Sequence, residues 1–326
     1  MPRLVINTSA LRHNLAVIEE KCRKAGAECM FVFKEAPLHL PLVSAIMAGG
    51  PVRKLGLVAW PGRPIPELHG IEIHHIYAPS SLMLPSKGSC RCIYVNSQLT
   101  LRFLSSLKPS FPEVRLVLEA GDGRDGILSD EIPSLCQEAQ KLGFSLRGLA
   151  VNFACMAANP PTRNDLCRAA RTLEKNREFF LSSAGISAGG TDILELAEKE
   201  TLPSEVEEIR CGTGITLGCY PLSGTPIPEA RQDAFRIEAQ VLECRIKQGK
   251  RLALFDIGTF HTAPQFLKPP FPGMVFRAAS SAYASFEITG DAGHLREGSV
   301  VSFPLDYHAL SSALISQALP LCMEER

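Results

Sequence analysis

Eight short apolar runs, most of them followed by a helical stretch, constrain this chain more than any other feature. They fall at residues 28–34, 54–59, 73–77, 91–95, 114–119, 146–152, 185–187 and 207–210, with helical segments notably at 38–48, 97–107, 130–142 and 163–182. Runs of this length and composition read as buried strands. Parallel strands need helical crossovers, and eight such units close into a (β/α)₈ TIM-type barrel. We therefore expect a barrel over residues 8–220. Its first helix can be capped by Thr8 or Ser9, carries Leu11, Leu15 and Ile18 at helical spacing, and is closed by Gly26.

After about Leu217 the pattern changes. Pro221, Pro226 and Pro228 mark a linker, and 233–247, 251–257, 284–289 and 299–303 alternate apolar with polar residues without intervening helices. This predicts a small antiparallel β-domain over 221–326, joined by the opening strand within residues 1–7. Lysine plus arginine and aspartate plus glutamate both number 34. That balance argues against a nucleic-acid partner and against a solvated acidic tail. The first residues lack the apolar core of a signal peptide and no apolar run is long enough to span a bilayer, so a soluble cytoplasmic protein without a membrane partner is expected. The 11 cysteines are scattered and odd in number, Cys90-Arg91-Cys92 lacks the spacing of a zinc site, and His74-His75 shows none either. The expectation is reduced, mostly buried thiols and no metal.

Lys34 ends the run Phe31-Val32-Phe33, where a parallel barrel opens its active face. A lysine desolvated there can form a Schiff base and shuttle protons near neutral pH. Its ordinary alternative is a strand-end lysine that snorkels to solvent. Gly121-Asp122-Gly123-Arg124-Asp125-Gly126 follows the strand at 114–119 and combines close backbone approach with a cation that can read an anion. Asn152 ends the next run and offers a donor and an acceptor to a ring or carboxylate, or simply closes a loop. Ser187-Ala188-Gly189-Gly190-Thr191 and Arg210-Cys211-Gly212-Thr213-Gly214 follow the last two strands, where barrels commonly grip phosphate with free backbone N–H groups. A strand-end lysine with two such loops points to a phosphate-bearing cofactor, and Schiff-base chemistry makes that cofactor pyridoxal 5′-phosphate (PLP).

Taken in order, Lys34, the loop at 121–126, Asn152-Phe153-Ala154-Cys155, Ser187-Ala188-Gly189-Gly190, Arg210-Cys211-Gly212 and Asp233-Ala234-Phe235 resemble the alanine racemase amino-terminal-domain superfamily, in particular its ornithine-racemase-like branch. The likeness runs from Pro2-Arg3-Leu4 to Tyr307-His308-Ala309-Leu310 and Ser316. It implies a PLP-dependent amino-acid racemase working by two-base proton transfer on a small amino-acid substrate, as a head-to-tail homodimer. Lys34 would hold PLP and act as one acid/base group, and Arg124 would approach the cofactor phenolate or the substrate carboxylate. Asn152 would contact the cofactor, Ser187, Gly189, Gly190, Gly212 and Thr213 would cradle its phosphate, and Arg210 would hydrogen-bond its pyridine nitrogen. A PLP-binding protein without turnover and a PLP-dependent decarboxylase are the alternatives.

Three stretches depart from the family pattern. Where relatives carry Ser-Ser-Asp-His, this chain has Ser280-Ser281-Ala282-Tyr283. Tyr283 then either replaces the histidine as the opposite-face base or is an ordinary β-domain residue, with His261, Tyr307 and Cys155 next in line. Glu35-Ala36-Pro37-Leu38-His39 lacks the tyrosine that alanine racemases place four residues after the lysine, and 60–90 departs throughout.

Overall fold

The computed structural model describes residues 1–57, 68–77, 90–107, 113–156, 158–289 and 295–325. The last two residues of the strand expected at 54–59, and much of the divergent segment 60–90, lie outside the described residues. The chain divides into two compact units, one of Asn14–Ile215 with Cys219–Ala230, the other of Met1–His13, Thr216–Gly218 and Arg231–Arg326.

The chain opens with strand β1 (Arg3–Asn7) and helix α1 (Thr8–Lys24). Eight parallel strands then follow: β2 (Glu28–Val32), β3 (Lys54–Leu57), β4 (Glu72–His75), β5 (Cys92–Val95), β6 (Glu113–Leu118), β7 (Leu146–Val151), β8 (Gly185–Gly189) and β9 (Val206–Cys211). They close into a barrel in sequence order, with β9 paired to β2. The described helices between them are α2 (Leu40–Met47), α3 (Gln98–Ser106), α4 (Ile132–Lys141), α5 (Arg163–Lys175) and α6 (Asp192–Ala197), and α7 (Thr213–Thr216) follows β9. Local chemistry sets their ends. Thr162 and Asp165 form a reciprocal capping box at the start of α5, and Leu166, Ala169, Ala170 and Leu173 give it one buried face. The helix expected over 163–182 stops short, because the Asn176 side chain donates to Thr172 O at 2.8 Å and a 3₁₀ turn, Arg177–Phe179, takes over.

Inside the barrel the filling is unusually polar. Alternation along each strand sends Lys54, His74, Tyr94, Arg115, Ser187, Glu208 and Arg210 inward. Bonds between strands that are not neighbours confirm it. Tyr94 OH reaches Glu208 Oε1 at 3.3 Å, and Lys54 Nζ reaches Glu208 Oε2 at 2.9 Å. Arg115, wholly buried, is paid for by Leu149 O at 3.2 Å, Gly185 O at 3.0 Å and the Glu207 carboxylate.

The second unit is a sheet ordered β12 (Met274–Ala279), β13 (Ala284–Ile288), β11 (Lys250–Phe255), β10 (Phe235–Lys247), β1 and β15 (Leu321–Glu324), with β14 (Val300–Pro304) paired to β10. β1 is antiparallel to β10 and parallel to β15. Phe255, Phe286 and Phe303 pack at centroid distances of 5.1–5.5 Å as its core. Helix α8 (Tyr307–Ser316) is capped by Asp306, whose carboxylate accepts from Ala309 N at 2.9 Å. Among the described residues no helix is long and apolar enough to cross a membrane.

One buried base gives the barrel a pH-dependent stability. Alternation turns His75 away from inward-facing His74, and among the described residues neither of its ring nitrogens has a partner. Burial pushes it down from 6.5 to about 4. The unfolded chain takes up this proton near pH 6.5 while the folded chain resists it, so stability is full above that pH and falls as pH drops toward 4. We expect His75→Leu to remove about 3 kcal/mol of the loss measured between pH 7 and pH 4 by urea denaturation. Identical wild-type and variant slopes would assign the acid sensitivity to other groups.

Candidate active site

The C-terminal ends of the barrel strands collect the chemistry. Beyond β2, Phe33 N still pairs with Gly56 O at 3.0 Å, so the strand direction holds up to Lys34. The chain then turns, with Ala36 N on Phe33 O at 3.1 Å and Pro37 within the 3₁₀ turn Ala36–Leu38. Lys34 is thereby held at the barrel mouth, half-buried.

The loop after β6 is shaped by its own acids. Glu119 Oε1 accepts from Gly121 N at 2.6 Å and from Gly123 N at 3.3 Å. Arg124 Nε donates to Asp125 Oδ1 at 2.7 Å and lies 3.8 Å from Asp122 Oδ2. Burial works against the Arg124 charge, but its bond to Asp125 and the acids around it raise its pKa above the ordinary value. Asp122 Oδ1 also accepts from Met156 N at 2.8 Å, which ties the loop after β6 to the one after β7.

Arg210, on β9, is the best-held side chain of the site. Its Nη1 donates to Ser187 O at 2.6 Å and Ser187 Oγ at 2.8 Å, and its Nη2 to Val151 O at 2.8 Å and Asn152 Oδ1 at 2.7 Å. Its guanidinium carbon lies 5.4 Å from the centroid of the Tyr94 ring. Those bonds use all four hydrogens of the two terminal nitrogens, so the Nε–H is the donor left for a ligand. Asn152, with Oδ1 committed to Arg210, retains its amide N–H groups.

Close approach dictates the glycines beside this arginine. A Cβ on Gly189 would sit 2.5 Å from Arg210 Nη2 and 2.6 Å from Asn152 Oδ1, and one on Gly212 would come 3.1 Å from Val32 O, just before Lys34. The loops after β8 and β9 are joined where Gly214 N donates to Thr191 Oγ1 at 3.2 Å. Lys34, a donor–acceptor pair at Asn152 and Arg210, and backbone free of side chains at Gly189, Gly190 and Gly212 fit a phosphate-bearing pyridine aldehyde.

One expectation changes in detail. Ser187, expected in the phosphate cradle, faces the barrel interior, where its hydroxyl is engaged by Arg210 and Glu208. Strand alternation puts it on the inward face beside Glu208, and the hydroxyl at the start of α6 is that of Thr191 instead. Tyr283 belongs to the other compact unit, at the turn between β12 and β13, where its N donates to Ser280 Oγ at 3.2 Å and its side chain is 48% exposed. His261 and Tyr307 lie in that same unit, and Cys155 is exposed on the loop after β7. Sequence reading missed Tyr94 and Glu208, although a charged residue two positions before Arg210 on a buried strand was a usable sign. It also had no sign that Cys22, Cys29 and Cys211 converge between α1 and the barrel wall, all buried, with sulfur atoms within 4.8 Å of one another.

The family profile described as alanine racemase, N-terminal domain, matches residues 6–220. The chain belongs to this family. An ornithine racemase from Acetoanaerobium sticklandii is 22% identical over 352 residues, spanning 97% of this chain and 98% of that protein. A lysine racemase from Thermotoga maritima is 27% identical over 225 residues, 61% of this chain and 62% of that protein. Among solved structures, alanine racemase from Bartonella henselae with covalently bound pyridoxal phosphate superposes with a TM-score of 0.66 at 15% identity, covering 98% of this chain and 94% of that one. The family fold is thus present in both compact units.

Gly189→Ala tests the close packing at the mouth. We expect the added methyl to push Arg210 off Asn152 and to lower stability by about 1–3 kcal/mol in urea denaturation. An unchanged midpoint would show that the mouth relaxes freely around position 189.

Proposed function

We propose that this chain is a PLP-dependent amino-acid racemase that interconverts L- and D-amino acids by moving the Cα proton from one face to the other. The observation that carries this reading is the seat of Arg210, which leaves one guanidinium N–H to donate at a barrel mouth that also holds Lys34 and Asn152. PLP, when bound, supplies an electron sink that weakens the Cα–H bond.

Lys34 holds the cofactor and its amino group takes or returns the Cα proton on one face. Arg210 would donate through Nε to the ring nitrogen, and a guanidinium does not surrender its proton to such a partner. With its ring nitrogen left unprotonated the group would be only a moderate electron sink, which suits a reaction that returns the proton at once. Asn152 orients the ring through its amide, and Gly189, Gly190, Thr191, Gly212 and Thr213 hold the phosphate with backbone N–H groups and hydroxyls. Arg124, steered by Asp122 and Asp125, binds the substrate carboxylate.

The opposite-face group in this reading is Tyr283 of a second copy of the chain, which makes the active protein a homodimer. A tyrosine serves as a base only where a neighbouring cation, here Arg124, stabilises its phenolate. The substrate class is the α,ω-diamino acids, supported by the ornithine and lysine racemases among the relatives.

The purified protein should be yellow with PLP, and borohydride should fix a pyridoxyl group on Lys34, as peptide mapping would read. A pyridoxyl group elsewhere, or none, removes the reading. Tyr283→Phe should slow racemisation of ornithine or lysine by on the order of 10²–10⁴-fold while cofactor binding stays intact. Solvent deuterium uptake at Cα, followed separately from each enantiomer, should then survive from only one of them. Equal loss from both enantiomers would move the role to another residue.

A further inference from the structure

Every oxygen that accepts from the terminal nitrogens of Arg210 is neutral, two of them backbone carbonyls, one a hydroxyl and one an amide. Yet Arg210 is 4% exposed, and a buried cation needs an anion within reach. That anion is Glu208, two residues earlier on β9, hence on the same inward face, and completely buried. It stands one hydroxyl away. Ser187 Oγ donates to Glu208 Oε1 and accepts from Arg210 Nη1 at 2.8 Å. Tyr94 completes the ring of contacts, its OH 2.9 Å from Ser187 Oγ and 3.3 Å from Glu208 Oε1, its ring beside the Arg210 guanidinium.

The direction of these bonds is fixed by chemistry. An ionised carboxylate can only accept, so the single hydroxyl proton of Ser187 is drawn toward Glu208 and its lone pairs face Arg210. From the other side Lys54 Nζ donates to Glu208 Oε2 at 2.9 Å. Burial alone would raise the Glu208 carboxyl, but the charges of Arg115 and Lys54 and the Ser187 bond outweigh it and hold it below the ordinary carboxylate range. The carboxylate therefore stays ionised across the working pH.

We propose that Glu208 is a positioning residue which, through the hydroxyls of Ser187 and Tyr94, locks the Arg210 guanidinium with its Nε–H at the barrel mouth and so sets how strongly the cofactor ring nitrogen is hydrogen-bonded. The proposal rests on the assignment of that N–H to the PLP ring nitrogen. Its competitor is a purely structural role in which Glu208 only balances Lys54 and Arg115.

Ser187→Ala separates the two roles, because it cuts the link to Arg210 and leaves the Lys54 pair in place. The measurements are the Kd for PLP by fluorescence titration and the ¹⁵N resonance of ring-labelled PLP bound to Lys34, with Arg210→Lys as the reference. Ser187→Ala and Glu208→Gln should each raise the Kd about tenfold, equivalent to about 1.4 kcal/mol, and move the ring resonance in the direction that Arg210→Lys moves it. The double variant should be no worse than the more affected single one, as for two members of one chain of bonds. If Glu208→Gln fails to fold, Glu208→Asp, which keeps the charge but draws the carboxylate back from Ser187 Oγ, takes its place, with the same shifts expected and a wild-type Kd and resonance counting against the proposal. A wild-type resonance and Kd in Ser187→Ala would leave Glu208 a structural role and overturn the proposal. A wild type that binds no PLP, or a ring resonance indifferent to Arg210→Lys, would instead overturn the assignment beneath it.

Discussion

A guanidinium can sit inside a β-barrel only if its donors are met, and the seat of Arg210 is the constraint from which the rest of the mouth follows. Four bonds to Ser187, Val151 and Asn152 fix the plane of the group. To make room, position 189 must lack a side chain, since any Cβ there would overlap both Arg210 and Asn152. The strand ends of β7, β8 and β9 are thus pinned to one another by one side chain. The backbone that faces a ligand inherits its rigidity from that arrangement.

Beneath the mouth, a buried polar column replaces the usual apolar filling. Glu208 is wholly buried and is stabilised by Lys54, Ser187 and Tyr94, while Arg115 carries its own set of carbonyls and Glu207. Such groups rarely add net stability over apolar residues of similar volume, because desolvation offsets most of the attraction. Their value here is orientation. A leucine core would pack as well, but it could not choose which way the hydroxyl of Ser187 points.

Strand and helix periodicity made the barrel legible, because each element had to bury one face and the residues that do so recur at fixed intervals. Lys34, Arg124, Asn152 and Arg210 could be singled out because they stand at strand ends or in the loops that follow them, the positions that reach a ligand in any parallel barrel. The stop of α5 at Lys175 escaped notice, since the bond from the Asn176 side chain to Thr172 O competes with a helical pattern that continues in sequence. The family resemblance sends Ser187 to the phosphate, whereas its side-chain direction depends on the register of β8 against β9.

What the sequence determined by itself was the order of the barrel's elements, the enclosure of eight strands, and the placing of a lysine and an arginine at their carboxyl ends, because these depend on local periodicity and loop chemistry. Only the tertiary structure decided which inward side chains meet. Tyr94 and Glu208 are separated by more than a hundred residues and share a hydrogen bond because barrel closure brings β5 across from β9. Cys22, Cys29 and Cys211 converge because α1 packs where β9 returns to β2. Contacts of this kind are set by strand register and closure, which no short stretch of sequence encodes.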